Sequence, residues 1–257
     1  MPESHWEVPP HDVLELADRA SAVCVLVPVI DEGERLTAQL SRMRAATDLD
    51  IIVADGGSTD GSTDPERLEG VSALLRMHDG PGLSAQLRMG FAFALDRGYT
   101  GVITVDGNGK DGVEAIPRFL AALQDGIDYA QGSRYIDGGE AVNTPWDRHL
   151  AVRLLHAPVL SAAAGHRFTD TTNGFRAFSA RFLRDDRVRP FRSVFQTYNL
   201  HYYLTVRAAQ LGFRVTEIPV RRAYPERGRT PTKIGGLGGK ARIVGQLLAA
   251  ATGRYDP

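Results

Sequence analysis

The sequence predicts an α/β fold in which helices cover both faces of a mostly parallel, Rossmann-like sheet. Three observations predict it. Short runs of β-branched and aliphatic residues alternate with amphipathic helical patterns along the first half of the chain. These runs lack polar alternation, which is typical of strands buried on both faces. Several of them lead directly into glycines and acidic residues, as strands do at the carboxyl edge of a parallel sheet.

The elements of the first half follow in order after residues 1–20, which we expect to form an arm with one helical turn near 13–17. The first strand is predicted at 22–28. It is followed by a helical pattern that places Leu36, Leu40 and Met43 on one face. The remaining predicted elements of this half are strands at 50–55, 73–77 and 102–105, helices at 84–97 and 114–125, and a strand from Tyr129.

The second half predicts helices at 148–164, 197–211 and 237–252, with a strand at 214–220. A basic, Gly- and Pro-rich loop at 221–236 separates that strand from the last helix. The last helix has a short apolar face made by Ile243, Leu247 and Leu248, which suits packing or a homodimer contact. A place on a membrane surface is the alternative.

Composition excludes several classes of protein. The net charge of −1 over 257 residues argues against nucleic acid as the main partner. The single cysteine, Cys24, lies in an apolar run and is expected in the core, so no disulfide forms within the chain. The first residues lack the pattern of a signal peptide, and no apolar run reaches the roughly 18 residues of a spanning helix. We therefore expect a cytoplasmic protein.

The stretch at 102–111 carries the clearest chemical signal. An apolar strand runs into Asp106 and Asn108, which project to the same side of an extended backbone because they are two residues apart. Gly107 and Gly109 remove bulk beside them. Two oxygen ligands on one side suit a divalent cation or a phosphate. Taken alone, the stretch is equally compatible with a strand followed by a Gly-Asn turn.

Acidic residues end three predicted strands. Asp31 and Glu32, Asp55, and Asp106 should therefore meet at one crevice of the sheet. Carboxylates placed there can accept hydrogen bonds from a ribose diol or a base N–H. Capping of the following helices is the alternative for each acid taken singly. Neither a phosphate-binding P-loop nor a dinucleotide fingerprint is present in the sequence.

Six motifs in order carry a resemblance to a known family. They lie at 27–32, 52–60, 105–110, 132–135, 170–176 and 217–220, the last followed by Arg227-Gly228 and Thr232-Lys233. Together they resemble family 2 glycosyltransferases, nucleotide-sugar-dependent enzymes of GT-A fold. They are most similar to the dolichyl- or polyprenyl-phosphate mannosyl- and glucosyltransferase branch, over about residues 22–235.

The resemblance implies a function and a division of the chain. A GT-A domain would span 21–236, with a nucleotide-binding half at 21–110 and an acceptor half at 111–236, and a C-terminal helix would occupy 237–257. The implied activity is inverting transfer of a sugar from a UDP- or GDP-sugar to a polyprenyl phosphate or a small soluble acceptor. A nucleotide-sugar-binding protein without transferase activity and a nucleotidyltransferase are the alternatives. Peripheral contact with a membrane is compatible with the lipid acceptor.

The resemblance also implies roles for individual residues. Nucleotide-sugar binding falls to Pro28, Asp31, Glu32, Asp55, Asp106, Arg134, Arg227 and Lys233, and Lys110 is added to this set by the charge argument given below. A Mg²⁺ or Mn²⁺ ion on the diphosphate would be held by Asp106 and Asn108. The implied catalytic residues are Asp106, Asp170 and Arg176, the last two on the acceptor side.

Two departures from the family pattern affect the metal. Asn108 stands where the family has a second acid, and Lys110 stands where it has glutamine. The two changes add two positive charges, which equals the charge of a divalent cation. At about 4 Å two unit charges interact by roughly 4 kcal/mol when the effective dielectric constant is near 20. We therefore hypothesise weakened metal dependence with Lys110 on the diphosphate; a solvent-facing Lys110 is the alternative.

The basic loop at 221–236 and the general base are the subjects of two further predictions. Positive charge near the leaving diphosphate would come from Arg221, Arg222, Arg227, Arg229 and Lys233, unless the loop is simply solvated. A phosphate acceptor needs no strong base, whereas a hydroxyl acceptor does. Asp170 is the first candidate base, and Asp111 and His201 are weaker ones. His201 also suits a packing role within its helix.

Overall fold

The structure, a computed structural model, describes residues 6–78, 80, 82–225 and 236–257, of which 236 and 237 are described by their backbone alone. These residues form a central sheet and a small second sheet. In chain order the strands are β1 (His11–Glu15), β2 (Val23–Val29), β3 (Asp50–Asp55), β4 (Ala73–Met77), β5 (Gly101–Thr104), β6 (Tyr129–Ser133), β7 (Glu140–Val142), β8 (Arg176–Ser179), β9 (Val215–Pro219) and β10 (Arg221–Ala223). Eight of them form the central sheet in the order β1-β4-β3-β2-β5-β8-β6-β9, and β10 pairs with β7.

The middle of the sheet is parallel. Strands β4, β3, β2 and β5 run in one direction, and β9 runs parallel to β6. Strand β8 is antiparallel to both of its neighbours, β5 and β6. The predicted α/β class with a mostly parallel sheet is confirmed.

Helices cover both faces of the sheet. They are α1 (Glu34–Ala46), α2 (Leu83–Asp96), α3 (Ile116–Gln124), α4 (Trp146–Ala151), α5 (Ala157–Ala164), α6 (Ala180–Arg184), α7 (Asn199–Gln210) and α8 (Gly236–Ala251). A π-helical segment, Val152–His156, joins α4 to α5. Leu36 of α1 packs in one core with Val25, while Phe91 of α2 packs in the other core with Leu26. Alternate residues of β2 thus serve opposite cores, which explains its uninterrupted apolar run.

The N-terminal arm corrects one prediction. Residues 11–15 form strand β1, antiparallel to β4, where a helical turn was expected near 13–17. The apolar residues at 13, 14 and 16 do not by themselves distinguish a helical turn from a strand, because strand formation depends on the neighbouring strand that is available for pairing. Strand β4 offers an edge whose backbone groups need pairing, and β1 covers it. The arm is therefore part of the sheet.

The last helix packs against the fold. Leu247 and Ala250 of α8 are buried in a third core with Leu160, Tyr202 and Val206. Packing, one of the predicted uses of this helix, is thus present. Within the described ranges, no helix is both long enough and apolar enough to cross a membrane.

Candidate active site

Three neighbouring parallel strands bring the predicted acids to one edge of the sheet. Asp55 ends β3, Asp31 follows β2 by two residues, and Asp106 follows β5 by two residues. The backbone connects these ends directly. Gly56 N donates to Val29 O at 2.9 Å, and Gly107 N donates to Pro28 O at 3.2 Å. The predicted shared crevice is therefore formed by adjacent strand ends.

Asp55 organises the loop that follows it. One carboxylate oxygen accepts from Ser58 N at 2.8 Å and from Gly57 N at 3.1 Å, and the other accepts from Thr63 Oγ1 at 2.7 Å. Its side chain is buried. The structure thus shows Asp55 shaping the rim of the crevice through its own loop, and it does not present the carboxylate to the solvent side.

Among the acids predicted at the strand ends, Asp31 is the most exposed. It adopts a positive φ of 48° and accepts from Thr59 N at 2.8 Å. Neighbouring Glu32 pairs with Arg35 at 3.0 Å. Pro28 is buried within β2, so it affects the rim through its backbone carbonyl.

Two buried glutamines that the sequence analysis missed hold the rim in place. The side-chain amide of Gln86 donates to Val29 O at 2.7 Å and to Ala54 O at 2.8 Å, joining the ends of β2 and β3. Gln39 donates to Asp106 O at 2.8 Å and accepts from Gly109 N at 2.7 Å. The sequence signal that could have revealed these glutamines is a polar residue within the apolar stripe of each helix, since buried polar groups require hydrogen-bond partners.

Asp106 lies where the two halves of the chain meet. Its carboxylate pairs with Arg222 Nη2 at 3.0 Å and accepts weakly from Asn108 Nδ2 at 3.4 Å. A Cβ atom on Gly174 would lie 2.3 Å from Asp106 Oδ1, so only glycine fits there. The side chain of Asp106 is 22% exposed, so it is open to a ligand from one side.

Arg222 bridges two carboxylates. Its Nη1 donates to both oxygens of the buried Asp111, at 2.7 Å and 2.8 Å. Burial works against its charge, but Asp111 and Asp106 raise the pKa of Arg222 well above its ordinary value. Arg222 was one of several basic residues predicted in the loop, and its pairing with acids more than a hundred residues earlier had no local signal.

Lys110 lies close to Arg222 and Asp106. It is a buried side chain, and its Nζ lies 5.5 Å from the centre of the Tyr224 ring. Burial, with the nearby charge of Arg222, lowers the pKa of Lys110. The alternative of a solvent-facing lysine is therefore wrong.

Arg134 and Asp170 form a buried pair. Arg134 Nε and Nη2 donate to the two carboxylate oxygens at 2.6 Å and 2.9 Å. Burial favours the neutral acid, but Arg134 lowers the pKa of Asp170 below its ordinary value. Because the carboxylate is enclosed and already shared with Arg134, the geometry does not support the prediction that Asp170 is a free general base.

The weaker candidate bases fare no better. Asp111 is enclosed by Arg222, as described. His201 is buried in α7, and burial lowers its pKa well below the ordinary value, so the ring is neutral. Its placement agrees with the packing role considered from the sequence.

Arg176 lies in the interior of the fold. Its guanidinium donates to the Tyr129 hydroxyl at 3.0 Å and to the backbone carbonyls of Thr171, Asn173 and His201 at 2.8 to 2.9 Å. The side chain is completely buried. The prediction that Arg176 lines the acceptor side therefore needs correction, because this arginine ties β8 to the loop before it and to α7.

Basic side chains gather around Tyr224. Burial alone would raise the pKa of Tyr224, yet Arg222, Arg134 and Arg148 lower it below its ordinary value. Arg148, on α4, lies 5.7 Å from the centre of that ring and was missed by the sequence analysis. Arg221, by contrast, is at the surface and pairs with Glu140 at 3.3 Å. Arg227 and Lys233 lie outside the described residues.

The donor set at Asp106 does not suit a tightly held divalent ion. The carboxylate of Asp106 is already paired with Arg222, and Asn108 is neutral and turns its amide nitrogen toward the same oxygen. Throughout the described ranges, no three His, Cys, Asp or Glu side chains are grouped as a metal site would require. The two predicted metal ligands, Asp106 and Asn108, therefore lie next to side chains that already carry positive charge, whereas a divalent ion prefers a set of several oxygen ligands.

The sheet topology, the acids at its carboxyl edge and the basic groups facing them are those of a glycosyltransferase with the GT-A fold. The sequence profile named "Glycosyl transferase family 2" matches residues 24–189. The chain belongs to this family.

Two curated relatives match most of the chain. Undecaprenyl-phosphate mannosyltransferase of Micrococcus luteus is 31% identical over 228 residues, covering 86% of this chain and 91% of the relative. Polyprenol monophosphomannose synthase of Mycolicibacterium smegmatis is 31% identical over 222 residues, covering 82% and 80%. They confirm the predicted polyprenyl-phosphate branch.

A solved structure supports the fold. Glucosyl-3-phosphoglycerate synthase from Mycobacterium tuberculosis, determined with Mn²⁺, UDP and glucosyl-3-phosphoglycerate, superimposes with a TM-score of 0.60 at 17% identity. The match covers 91% of this chain and 80% of that one. The GT-A prediction is thereby confirmed.

Proposed function

We propose that this glycosyltransferase moves a hexose from a UDP- or GDP-sugar to a polyprenyl phosphate. The observation that carries the proposal is that Arg222 and Lys110 lie beside Asp106 at the carboxyl edge of the sheet. A nucleoside diphosphate leaving group develops negative charge, and fixed positive groups stabilise it. The names of the two bacterial relatives supply the acceptor class.

The donor's nucleoside fits the first half of the rim. Asp31 is exposed beside the loop that Asp55 organises, so its carboxylate is open to a ribose diol or a base N–H. The diphosphate would then lie toward Asp106, where the cations are. Residues 21–110 act as the nucleotide half in this proposal and 111–236 as the acceptor half.

The chemistry is a direct displacement at the anomeric carbon. An oxygen of the acceptor phosphate forms the new bond to that carbon. The bond from the carbon to the diphosphate breaks, and its electron pair leaves on the nucleoside diphosphate with inversion of configuration. No proton has to be removed from a phosphate acceptor. The enclosure of Asp170, Asp111 and His201 therefore favours this acceptor over a hydroxyl compound.

The acceptor half also presents a surface suited to a lipid. Trp146, Leu150 and Leu154 recur every four residues along α4 and the π-helical segment, and they are 75%, 41% and 72% exposed. Large exposed apolar patches mark interaction surfaces. Tryptophan and leucine on one face of a helix with arginines beside them suit the boundary between lipid headgroups and acyl chains.

A cleft beside this helix could hold an anionic headgroup. It has a volume of about 330 Å³ and is lined by Arg153, Arg167 and Tyr135 among others. Residues 143–169 contain three arginines and a single acid, Asp147. We infer that this face, and not α8, makes the peripheral membrane contact; the homodimer remains a prediction.

Turnover tests the proposed function. We expect purified protein to release UDP or GDP from one of the hexose donors, and only when a polyprenyl phosphate is present. The measurement is coupled detection of the nucleoside diphosphate together with mass spectrometry of the lipid product. Pyrophosphate release would instead indicate a nucleotidyltransferase, and tight donor binding without turnover would indicate a binding protein.

A further inference from the structure

The guanidinium of Arg222 pairs with Asp106, which the sequence predicts as a metal ligand. We propose that the guanidinium of Arg222 and the ammonium of Lys110 together replace a divalent ion on the donor diphosphate, so that this chain binds its nucleotide without a metal. The inference rests on the proposed function, since it concerns the same donor. It adds Arg222 as a residue that contacts substrate.

The backbone fixes Arg222 at this place. Ala223 N donates to Lys110 O at 2.8 Å, and Gly112 N donates to Arg221 O at 2.8 Å. Strand β10 is thus joined to the segment that follows Asp106 on both sides of Arg222. The same bridge pairs Asp111 with Arg222, so Lys110 is the chain neighbour of that pair, and the charge of Arg222 is close enough to affect Lys110.

The charges of the cluster balance without an ion. Asp106 and Asp111 carry two negative charges, Lys110 and Arg222 carry two positive charges, and Asn108 is neutral. A divalent cation would bring two more positive charges into a largely buried group of cations. A diphosphate, in contrast, would find two cations already held in position.

Arg222 can change partner without losing both contacts. Its Nη1 is held by Asp111, which is buried, whereas its Nη2 contacts the partly exposed Asp106. An incoming phosphate oxygen can therefore replace Asp106 at Nη2 while Asp111 keeps the side chain in place. The hydrogen bond from Nη2 to a phosphate oxygen would be charge-assisted, which makes it stronger than one between neutral groups.

Nucleotide affinity with and without metal tests the inference. The full-length protein is treated with EDTA, and binding of UDP and GDP is measured by calorimetry in EDTA and in Mn²⁺. We expect the better of the two nucleotides to bind with a Kd that changes by no more than about threefold between the two conditions. Binding that requires Mn²⁺ would overturn the inference and leave the proposed function standing. Failure of every nucleotide under both conditions would reject the proposed function itself.

Substitutions assign the effect to Arg222. Arg222→Gln alone would leave Asp111 buried without a partner, so the test uses Asp111→Asn with Arg222→Gln, which removes both charges. We expect binding in EDTA to weaken by at least about tenfold, because a charge-assisted contact to the diphosphate is lost. Arg221→Gln is the matched control, since Arg221 is at the surface; its Kd should not change. Unchanged binding in the double variant, with circular dichroism showing that it folds, would contradict the role of Arg222.

Restoring the family's residues at positions 108 and 110 should make nucleotide binding depend on a metal ion. Adding Asn108→Asp and Lys110→Gln to the double variant leaves neutral amides in place of both cations and supplies a second acid beside Asp106. We expect Mn²⁺ to restore nucleotide binding in this protein and EDTA to abolish it. Binding that is indifferent to Mn²⁺ would show that these positions do not exchange fixed charge for metal.

Discussion

Arg134 and Asp170 form a buried ion pair within the half of the chain that is proposed to bind the acceptor. Their contact is bidentate, with distances of 2.6 Å and 2.9 Å between the guanidinium and the carboxylate. Glu217 holds the same segment, because its carboxylate accepts from Asp170 N at 3.1 Å and from Thr169 N at 2.9 Å. Asp170 therefore acts on the site by positioning Arg134.

Removing the negative charge of this pair should destabilise the fold. We expect Asp170→Asn to lower the free energy of unfolding by about 3–5 kcal/mol, because Arg134 would be left as an uncompensated buried charge. Asp147→Asn is the matched control, since Asp147 pairs with Lys240 at the surface. The control should cost about 1 kcal/mol or less. Urea unfolding followed by circular dichroism measures both, and equal costs would contradict the structural role of the pair.

The Arg134–Asp170 pair also predicts how the difference in unfolding free energy between wild type and Asp170→Asn depends on pH. Arg134 lowers the pKa of folded Asp170 below the ordinary value of 3.8, so the carboxylate stabilises the fold at every pH above that value. This contribution is lost only as the pH falls through the lowered pKa. The stability gap between wild type and Asp170→Asn should therefore stay constant above about pH 5 and narrow below about pH 4.

Residue types and their spacing identified part of the site. Asp106, Arg134 and Asp170 were found because each belongs to a motif that survives in the sequence. The partners of Asp106 and Arg134 could not be found in this way, since Arg222 and Asp170 come from distant segments whose approach depends on the whole sheet. Arg176 was misassigned for the same reason: its motif does not reveal that the side chain points into the core.

Helix α4 and the π-helical segment after it form the element with the most exposed apolar surface near the site. A π-helical turn changes the angle between successive residues, and here it keeps Leu154 on the outside together with Trp146 and Leu150. Burying such side chains in a lipid interface contributes about 1.5 kcal/mol or more each. This element is therefore expected to set membrane affinity.

Vesicle binding tests that expectation. We expect a variant with Trp146→Ser, Leu150→Ser and Leu154→Ser to co-sediment with anionic phospholipid vesicles at least about tenfold less than wild type. Leu248→Ser is the control, because Leu248 is 47% exposed and belongs to α8, the helix that the alternative would place on the membrane. Activity on a short, water-soluble isoprenyl phosphate should survive in the triple variant. Equal loss of sedimentation in the control would point to α8 instead.

Long periodic elements were predicted well and short paired ones were not. Strands β3 and β4 have the predicted bounds because each is a mostly apolar run, and in β3 an aspartate stands at both ends. Strand β8, with four residues, begins with a buried arginine and was not predicted. Strands β7 and β10 have three residues each and exist because they pair with each other across the chain. Such strands carry too little local signal, and the partner decides their structure.

At the scale of the whole molecule, the two halves share one site. Asp106, at the end of the first half, contacts Arg222 and the backbone at Gly174, and Thr104 donates to Gly174 O at 2.8 Å. The insertion of antiparallel β8 between β5 and β6 places this contact at the middle of the sheet. Strands from both sides of residue 110 thus belong to one sheet, and the division into a nucleotide half and an acceptor half stays a prediction.

A crystal structure with bound nucleoside diphosphate and EDTA present tests the central claim most directly. We predict the nucleoside beside Asp31 and the loop of Asp55, with the diphosphate contacting Arg222 and Lys110 next to Asp106. A nucleotide bound at another edge of the sheet, or one whose phosphates lie away from Arg222 and Lys110, would contradict the account.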